Sequence, residues 1–172
     1  MDPVRLVLVR HAVAEEAPPP GGADADRRLT EKGRRRFRRS AIGLARIVRP
    51  IDRVLTSPLP RAFETARILA AALRSGVTPE ECPALAPGGS PRELFAFLRD
   101  ASPGSTVALV GHEPDLSTLA SFLLAPGGAA RVELAMKKGG ATVIDVESLP
   151  PPSGGLLRAH LPPRVLRLAA RR

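Results

Sequence analysis

Three short apolar runs constrain this chain more than any other feature. They are Val4 to Val9, Val54 to Thr56 and Thr106 to Val110. Each is brief, rich in β-branched residues and nearly free of charge, which reads as a strand covered on both faces. Helical patterns lie between them. Strands alternating with helices specify an α/β domain with a largely parallel sheet and helices on both faces, a three-layer sandwich.

In open sheets of this kind ligands sit beyond the carboxyl ends of the strands. The first run ends in Arg10-His11. The second leads into Ser57-Pro58-Leu59-Pro60-Arg61, where Ser57 reads as a helix cap and Pro58 as a first-turn proline. Leu59, Ala62, Phe63, Ala66, Leu69, Ala70 and Leu73 then form an apolar helical stripe. Arg61 falls off that stripe, about one turn in, where the helix dipole and free N–H groups favour an anion. The third run continues into Gly111-His112-Glu113-Pro114. Three strand ends thus deliver Arg10, His11, Arg61 and His112 to one crevice. Guanidinium groups grip phosphate oxygens in pairs, and a neutral imidazole can attack phosphorus, so the set predicts a phosphoryl-binding site.

The segments VRHAVAEE, LTEKGRRRF, LTSPLPRAFETA and VGHEPDL resemble the histidine phosphatase superfamily, which includes the phosphoglycerate-mutase-like enzymes. Within it the chain is similar to short bacterial SixA-type phosphohistidine phosphatases, through its size, the LAPGGSP stretch from Leu85 to Pro91, and Lys137-Lys138-Gly139-Gly140. The resemblance runs from about Val4 to Val146. It implies a phosphoglycerate-mutase-like fold, His11 as nucleophile, and Arg10, Arg61 and His112 as phosphoryl-binding groups. Ala12 stands where many relatives have glycine.

On that reading His11 presents one ring nitrogen to phosphorus and donates from the other to a carbonyl. Neighbouring arginines help keep it neutral. Preplaced cations stabilise the transferring group, so the chemistry requires neither metal nor cofactor. Larger relatives protonate the leaving group with a carboxylate between the Arg61 helix and the Gly-His strand. This chain offers Leu85-Ala86-Pro87-Gly88-Gly89 there, with no obvious equivalent, and the flanking Glu81 and Glu93 sit in no recognisable acid motif. Glu113 is the candidate acid or rim residue, while Glu113 and Asp115 also read as charges complementing a helix N-terminus. Asp24 and Asp26 lie on the loop after the nucleophile, with Asp26 expected to pair with Arg27 or Arg28. Glu64 is expected to orient Arg61 or a neighbour. A positioned acid contributes about 10²–10⁴ in rate, so its absence favours a phosphohistidine substrate, whose P–N bond needs less help. The leading expectation is a protein phosphohistidine phosphatase. The alternatives are a small-molecule phosphomonoesterase and a non-catalytic phosphate- or polyphosphate-binding module.

At 172 residues and 44% apolar content, the chain suffices for one domain spanning 1–172 with a core of Leu, Val, Ala and Ile, since aromatics are 3%. One cysteine, Cys82, excludes an internal disulfide and a multi-cysteine metal site. No apolar run approaches the roughly 20 residues of a membrane span, and the expected location is cytoplasmic. The formal charge is +9, and only three of the 26 basic residues are lysine. The densest run, Arg34 to Arg39, is broken by Phe37, which belongs to an apolar stripe with Ala41, Leu44, Ala45 and Val48. Its arginines therefore line the solvated face of an amphipathic helix, a surface that would also suit an acidic partner. Without interleaved aromatics, nucleic acid is not an expected partner.

The chain reads as strand 4–9, helix 31–48 capped by Thr30 and weakened by Gly33, strand 52–56, helix 58–74 and a short strand 77–79. Helix 91–100, strand 106–110, helix 114–124 and strands 142–147 and 156–161 follow. Residues 12–29 read equally as a rim or lid over the site or as a plain surface loop, 150–155 as a surface excursion, His160 as structural, and the tail from Pro162 as basic and partly frayed.

Overall fold

The apolar runs form the middle of a six-stranded sheet. The computed structural model describes residues 2–127 and 132–171. In chain order the elements are β1 (Val4–Arg10), α1 (Glu31–Ile47), β2 (Arg53–Thr56), α2 (Pro60–Leu73), β3 (Pro79–Glu81), α3 (Pro91–Phe97), β4 (Thr106–Gly111), α4 (Asp115–Leu124), β5 (Ala141–Val146), β6 (Leu156–Leu161) and α5 (Pro163–Ala169). Single 3-10 turns add Asp24–Asp26 and Pro83–Leu85. The strand order is β3-β2-β4-β1-β5-β6. β3, β2, β4 and β1 are mutually parallel, β5 runs against them, and β6 returns antiparallel to β5.

Alternation along the strands divides the core into two layers. Val7, Val9, Val54, Ala108 and Val110 face α1, α2 and α5, where Phe37, Leu44, Leu69 and Leu166 meet them. Leu6, Leu8, Leu55, Val107 and Leu109 face α3 and α4, where Leu94, Leu116 and Leu123 lie. Burying each large side chain contributes about 1.5–3 kcal/mol. The three-layer α/β architecture is as the sequence specified. β1 and β4 are neighbours, but α1 and α4, which follow them, cover opposite faces. Their carboxyl ends therefore splay into a crevice, and His11 and His112 are the residues that follow each strand there.

One charge inside β1 needs its own explanation. Arg5 grips Asp145 of β5 through two bonds of 2.7 and 2.9 Å, and Arg158 of β6 adds a third at 2.7 Å. Those guanidinium groups hold the buried Asp145 carboxyl below the ordinary range, with the Arg5 bond the largest cause.

The tail differs from expectation. It forms α5, whose Leu166 is buried against α1. Gly43 makes this possible, because a Cβ there would lie 1.8 Å from the Leu166 carbonyl oxygen. Gly33 has the same role at the other end of α1, where a Cβ would meet the Val13 carbonyl at 2.1 Å. Thr30 caps α1 as expected, accepting from the Gly33 N–H at 2.8 Å. The 150–155 segment is also less free than it reads: Pro151 is buried, and the Gly155 N–H donates to Leu123 at 2.7 Å. The short strand forms at 79–81 rather than 77–79, and α3 stops at Phe97.

Candidate active site

His11 closes the β1 ladder. Its backbone N–H donates to Gly111 at 3.0 Å, which aligns the ends of β1 and β4. Its ring Nδ1 lies 2.7 Å from the Ala12 carbonyl oxygen. A carbonyl only accepts, so Nδ1 carries the proton and Nε2 keeps its lone pair. The side chain is 6% exposed. Burial pushes its pKa down to about 3, opposed by the Ala12 bond and reinforced by His112, Arg61 and Arg10. The imidazole is thus neutral across ordinary pH. Burial, rather than the neighbouring arginines alone, is the main reason.

His112 stands beside it, with ring centroids 5.1 Å apart and planes tilted by 52°. Its Nε2 is 2.9 Å from Ser57 Oγ, and its Nδ1 is buried without a protein partner. Burial and then Arg61 lower its pKa to about 4, against a smaller opposing pull from Asp115. Ser57 was expected to cap α2. Instead Leu59 occupies the cap position, Pro60 is the first helical residue, and the Ser57 hydroxyl is engaged with His112.

That later start puts Arg61 in the first turn of α2. It is 4% exposed, because the loop after the nucleophile folds over it. One guanidinium nitrogen donates to the Asp24 carbonyl at 3.0 Å, and another lies 3.6 Å from the Asp24 carboxylate. Arg27 Nε reaches the same carboxylate at 2.7 Å. That bond is the main cause of the lowered Asp24 pKa, with Arg61 and His112 adding to it. Burial and the charge of Arg27 lower the pKa of Arg61. Thr65 locks α2 to the nucleophile segment, accepting from the Ala12 N–H at 3.0 Å and donating to the Arg61 carbonyl at 2.6 Å.

Arg10 approaches from the other side. It donates to the Met136 carbonyl at 2.7 Å. The Gly139 N–H bonds the Arg10 and His11 carbonyls at 3.0 and 3.1 Å, and Gly140 accepts from the Arg10 N–H at 3.2 Å. The Lys137-Lys138 side chains are exposed on this turn.

Arg10, His11, Arg61 and His112 are therefore brought together, and Arg10 Nε, Arg61 Nε and His112 Nδ1 are buried without protein partners. Two guanidinium groups and two imidazoles held in one crevice form a set of donors that can bind an anion with several acceptor oxygens.

The remaining residues read from the sequence have partners of their own. Glu113 turns back to accept from Ser117, with its second oxygen buried and unpartnered. Asp115 accepts from the Gly88 N–H at 3.0 Å and so fixes the Leu85–Gly89 turn. Asp26 caps the local turn through the Ala23 N–H at 2.8 Å rather than pairing with an arginine. Glu64 accepts from Arg34 at 2.8 Å, so of the two expected roles it orients that neighbour and not Arg61. His160 Nδ1 bonds Thr142 at 2.9 Å within the sheet. Cys82 is fully buried, and burial raises its thiol pKa. Arg27 was missed as a site residue. Its only sequence signal was its place three residues after Asp24, on a loop with no period to read.

Comparison with known proteins places the chain by family and by fold. The model of the histidine phosphatase superfamily (branch 1) matches residues 6–86. An uncharacterized protein of Picosynechococcus sp. is 38% identical over 122 residues, covering 70% of this chain and 73% of its own. The chain belongs to the histidine phosphatase superfamily. A SixA-type protein from Nakamurella multipartitia is 26% identical over 92% of this chain and 97% of its own, with a TM-score of 0.68. The protein histidine phosphatase SixA, solved with tungstate, has a TM-score of 0.79 at 23% identity, covering 94% of this chain and 99% of that one. The structural likeness is thus to the SixA-type branch. Membership supports phosphatase activity. Among the described residues, no helix is long and apolar enough to cross a membrane, and no three His, Cys, Asp or Glu side chains are grouped to hold a metal ion.

Proposed function

We propose that this histidine phosphatase removes the phosphoryl group from a histidine-phosphorylated protein through a covalent intermediate on His11, acting without a metal in the cytoplasm. The observation that carries the proposal is the state of His11: neutral, with Nδ1 committed to Ala12 and Nε2 free beside Arg10, Arg61 and His112. Phosphate oxygens would pair with Arg10, Arg61 and His112, and Arg61 would exchange part of its hold on Asp24 for the substrate. Nε2 attacks phosphorus as the substrate's P–N bond breaks. Water then attacks the His11 phosphoramidate, releasing inorganic phosphate and restoring the imidazole. The cations are fixed before the reaction, so charge on the transferring group is stabilised without reorganisation.

The choice of phosphohistidine rests on the leaving group. Its ring can be protonated on the nitrogen remote from phosphorus, so a neutral imidazole departs with no enzyme acid. An alkoxide needs a proton in the transition state. Glu113 is occupied with Ser117, and Asp24 is held as an anion by Arg27.

Asp24 also supports the second reading, a small-molecule phosphomonoesterase. It is the carboxylate seated on Arg61, and a phosphate that draws Arg61 away would raise its proton affinity. The deciding experiment is phosphate release by chelator-treated protein from a phosphohistidine peptide and from alkyl and aryl phosphates, with His11→Ala in parallel. A preference of about 10²-fold or more for phosphohistidine, lost in the variant, is expected, since that is the least a missing acid costs an ester. Equal or faster turnover of alkyl phosphates, abolished by Asp24→Asn, would replace the first reading with the second.

A further inference from the structure

A groove of about 1100 Å³ lies between α1 and α2 on the outer surface. Both helices follow parallel strands, so both begin at the end of the sheet that carries His11. The groove thus starts at the rim of the active site and runs toward the far end. At its mouth Arg34, in the first turn of α1, is joined to Glu64, one turn into α2, at 2.8 Å. Arg34 and Arg27 also border the hollow beneath the loop after the nucleophile. Arg61, Arg27 and Arg34 therefore lead step by step from the crevice into the groove. With 17 residues, α1 is about 25 Å long at 1.5 Å per residue, room for a helix of similar length.

The chemistry of the groove is two-sided. Its walls carry Arg34, Arg38, Arg46, Arg49, Arg67 and Arg74, and among the described residues Glu64 is the one carboxylate lining it. Among the described residues, Arg38, Arg49, Arg67 and Arg74 have no carboxylate within 4 Å. Its floor is apolar, formed by Ile42, Ala45, Ile68 and Ala71, with Ile42 41% exposed. Arginine walls alone would suit any polyanion. The apolar floor selects among them, because a polyphosphate chain would leave it wet. The groove also has no aromatic side chain on which bases could stack.

We propose that this groove docks an acidic amphipathic helix of the phosphorylated protein substrate. Its apolar stripe covers Ile42 and Ile68, its flanking carboxylates meet the unpaired arginines, and its phosphorylated residue is delivered to the crevice. The assignment of the helix to the substrate rests on the protein-phosphatase reading above.

The test uses the whole chain and a labelled 20-residue helical peptide, with Leu at i, i+3, i+4 and i+7 spacing and Glu on both flanks. Binding is followed by fluorescence anisotropy. Arg38→Glu/Arg67→Glu changes only exposed side chains and is expected to weaken binding at least tenfold, as is Ile42→Gln. The same peptide with its pattern scrambled, long-chain polyphosphate and a single-stranded RNA oligomer are each expected to bind at least tenfold more weakly. Equal binding of any of these, or binding indifferent to the variants, overturns the proposal.

A kinetic arm separates this idea from the function on which it rests. Two phosphohistidine peptides are compared, one short and one joined to the helix. The joined peptide is expected to have a KM at least tenfold lower. That advantage should vanish in Arg38→Glu/Arg67→Glu, while the short peptide keeps its kinetics within twofold. If neither phosphohistidine peptide is hydrolysed but helix binding depends on the groove, the function reading falls and docking stands. If the short peptide is hydrolysed and the helix gives no advantage, docking falls and the function stands.

Discussion

Arg61 and Arg38 sit on adjacent helices over the same face of the sheet, in opposite circumstances. Arg61 is buried, two of its nitrogens are held by Asp24, and its pKa is lowered by loss of water. Arg38 is exposed, with no carboxylate within 4 Å among the described residues. A buried guanidinium has already lost its hydration and its freedom, so it can bind a phosphate strongly and in one geometry. An exposed one keeps both. It acts through a field that salt screens over about 8 Å at physiological strength, and its contribution is modest and additive. Residue type does not decide what an arginine does in this molecule. Its distance from water does.

The strongest challenge to that contrast is at the crevice itself. His11→Ala should cut turnover by at least about 10³-fold, as removal of a nucleophile does elsewhere, while melting temperature changes little. Arg61→Lys should follow at about 10²-fold in kcat/KM, the scale for losing a fixed donor to a developing charge. A lysine retaining full activity would mean that charge, not the planar fork, is what the site uses.

Salt should divide the two sets next. Between 0.05 and about 0.5 M the Debye length falls severalfold. KM for a helix-bearing substrate should then rise about tenfold, and a short peptide should move within about twofold. Parallel responses would show that the crevice is as exposed to screening as the groove.

The histidine pair gives a third test, in stability. Folded His11 and His112 have pKa values of about 3 and about 4, below the ordinary 6.5. As pH falls through 6.5 the unfolded chain takes up protons that the folded chain refuses, so stability present above 6.5 is lost toward pH 4 and below. The slope is at most about 1.4 kcal/mol per pH unit for each histidine. Denaturant unfolding from pH 7 to 4.5 should show it, and His11→Gln/His112→Gln should flatten it. For activity, kcat/KM should show no acid limb from the nucleophile near 6.5 once substrate ionisation is accounted for.

The smallest expected effect is at Arg74, which ends α2 with a left-handed φ of +56°. Arg74→Gly should stabilise the fold by about 1 kcal/mol. It should also weaken helix docking slightly, since one groove cation is removed. Thermal unfolding and anisotropy together would show whether an exposed arginine can be lost to advantage by one measure and at a cost by the other.

The middle strands, the amphipathic faces of α1, α2 and α4, and the gathering of Arg10, His11, Arg61 and His112 were all legible in order and spacing. Each depends on residues near in sequence or on a rule that places strand ends together. The start of α2 was not. Ser57 and Pro58 carry a cap signal, but the Ser57 hydroxyl serves His112, 55 residues away. The Asp24–Arg27 hold on Arg61 was equally hidden, since it joins a non-periodic loop to a helix 37 residues on. Glu113 looked better placed than Asp24 because it neighbours His112 in sequence, yet its side chain turns to Ser117.

The sequence by itself determined the α/β class, the crevice and the four residues that meet in it, because strand periodicity and strand-end residues are local signals. The tertiary structure decided which arginines are dry, that the basic tail folds as α5 against Gly43, and that an apolar-floored groove opens beside the site. Those depend on which surfaces meet at long range, and only packing settles which side chains lose their water.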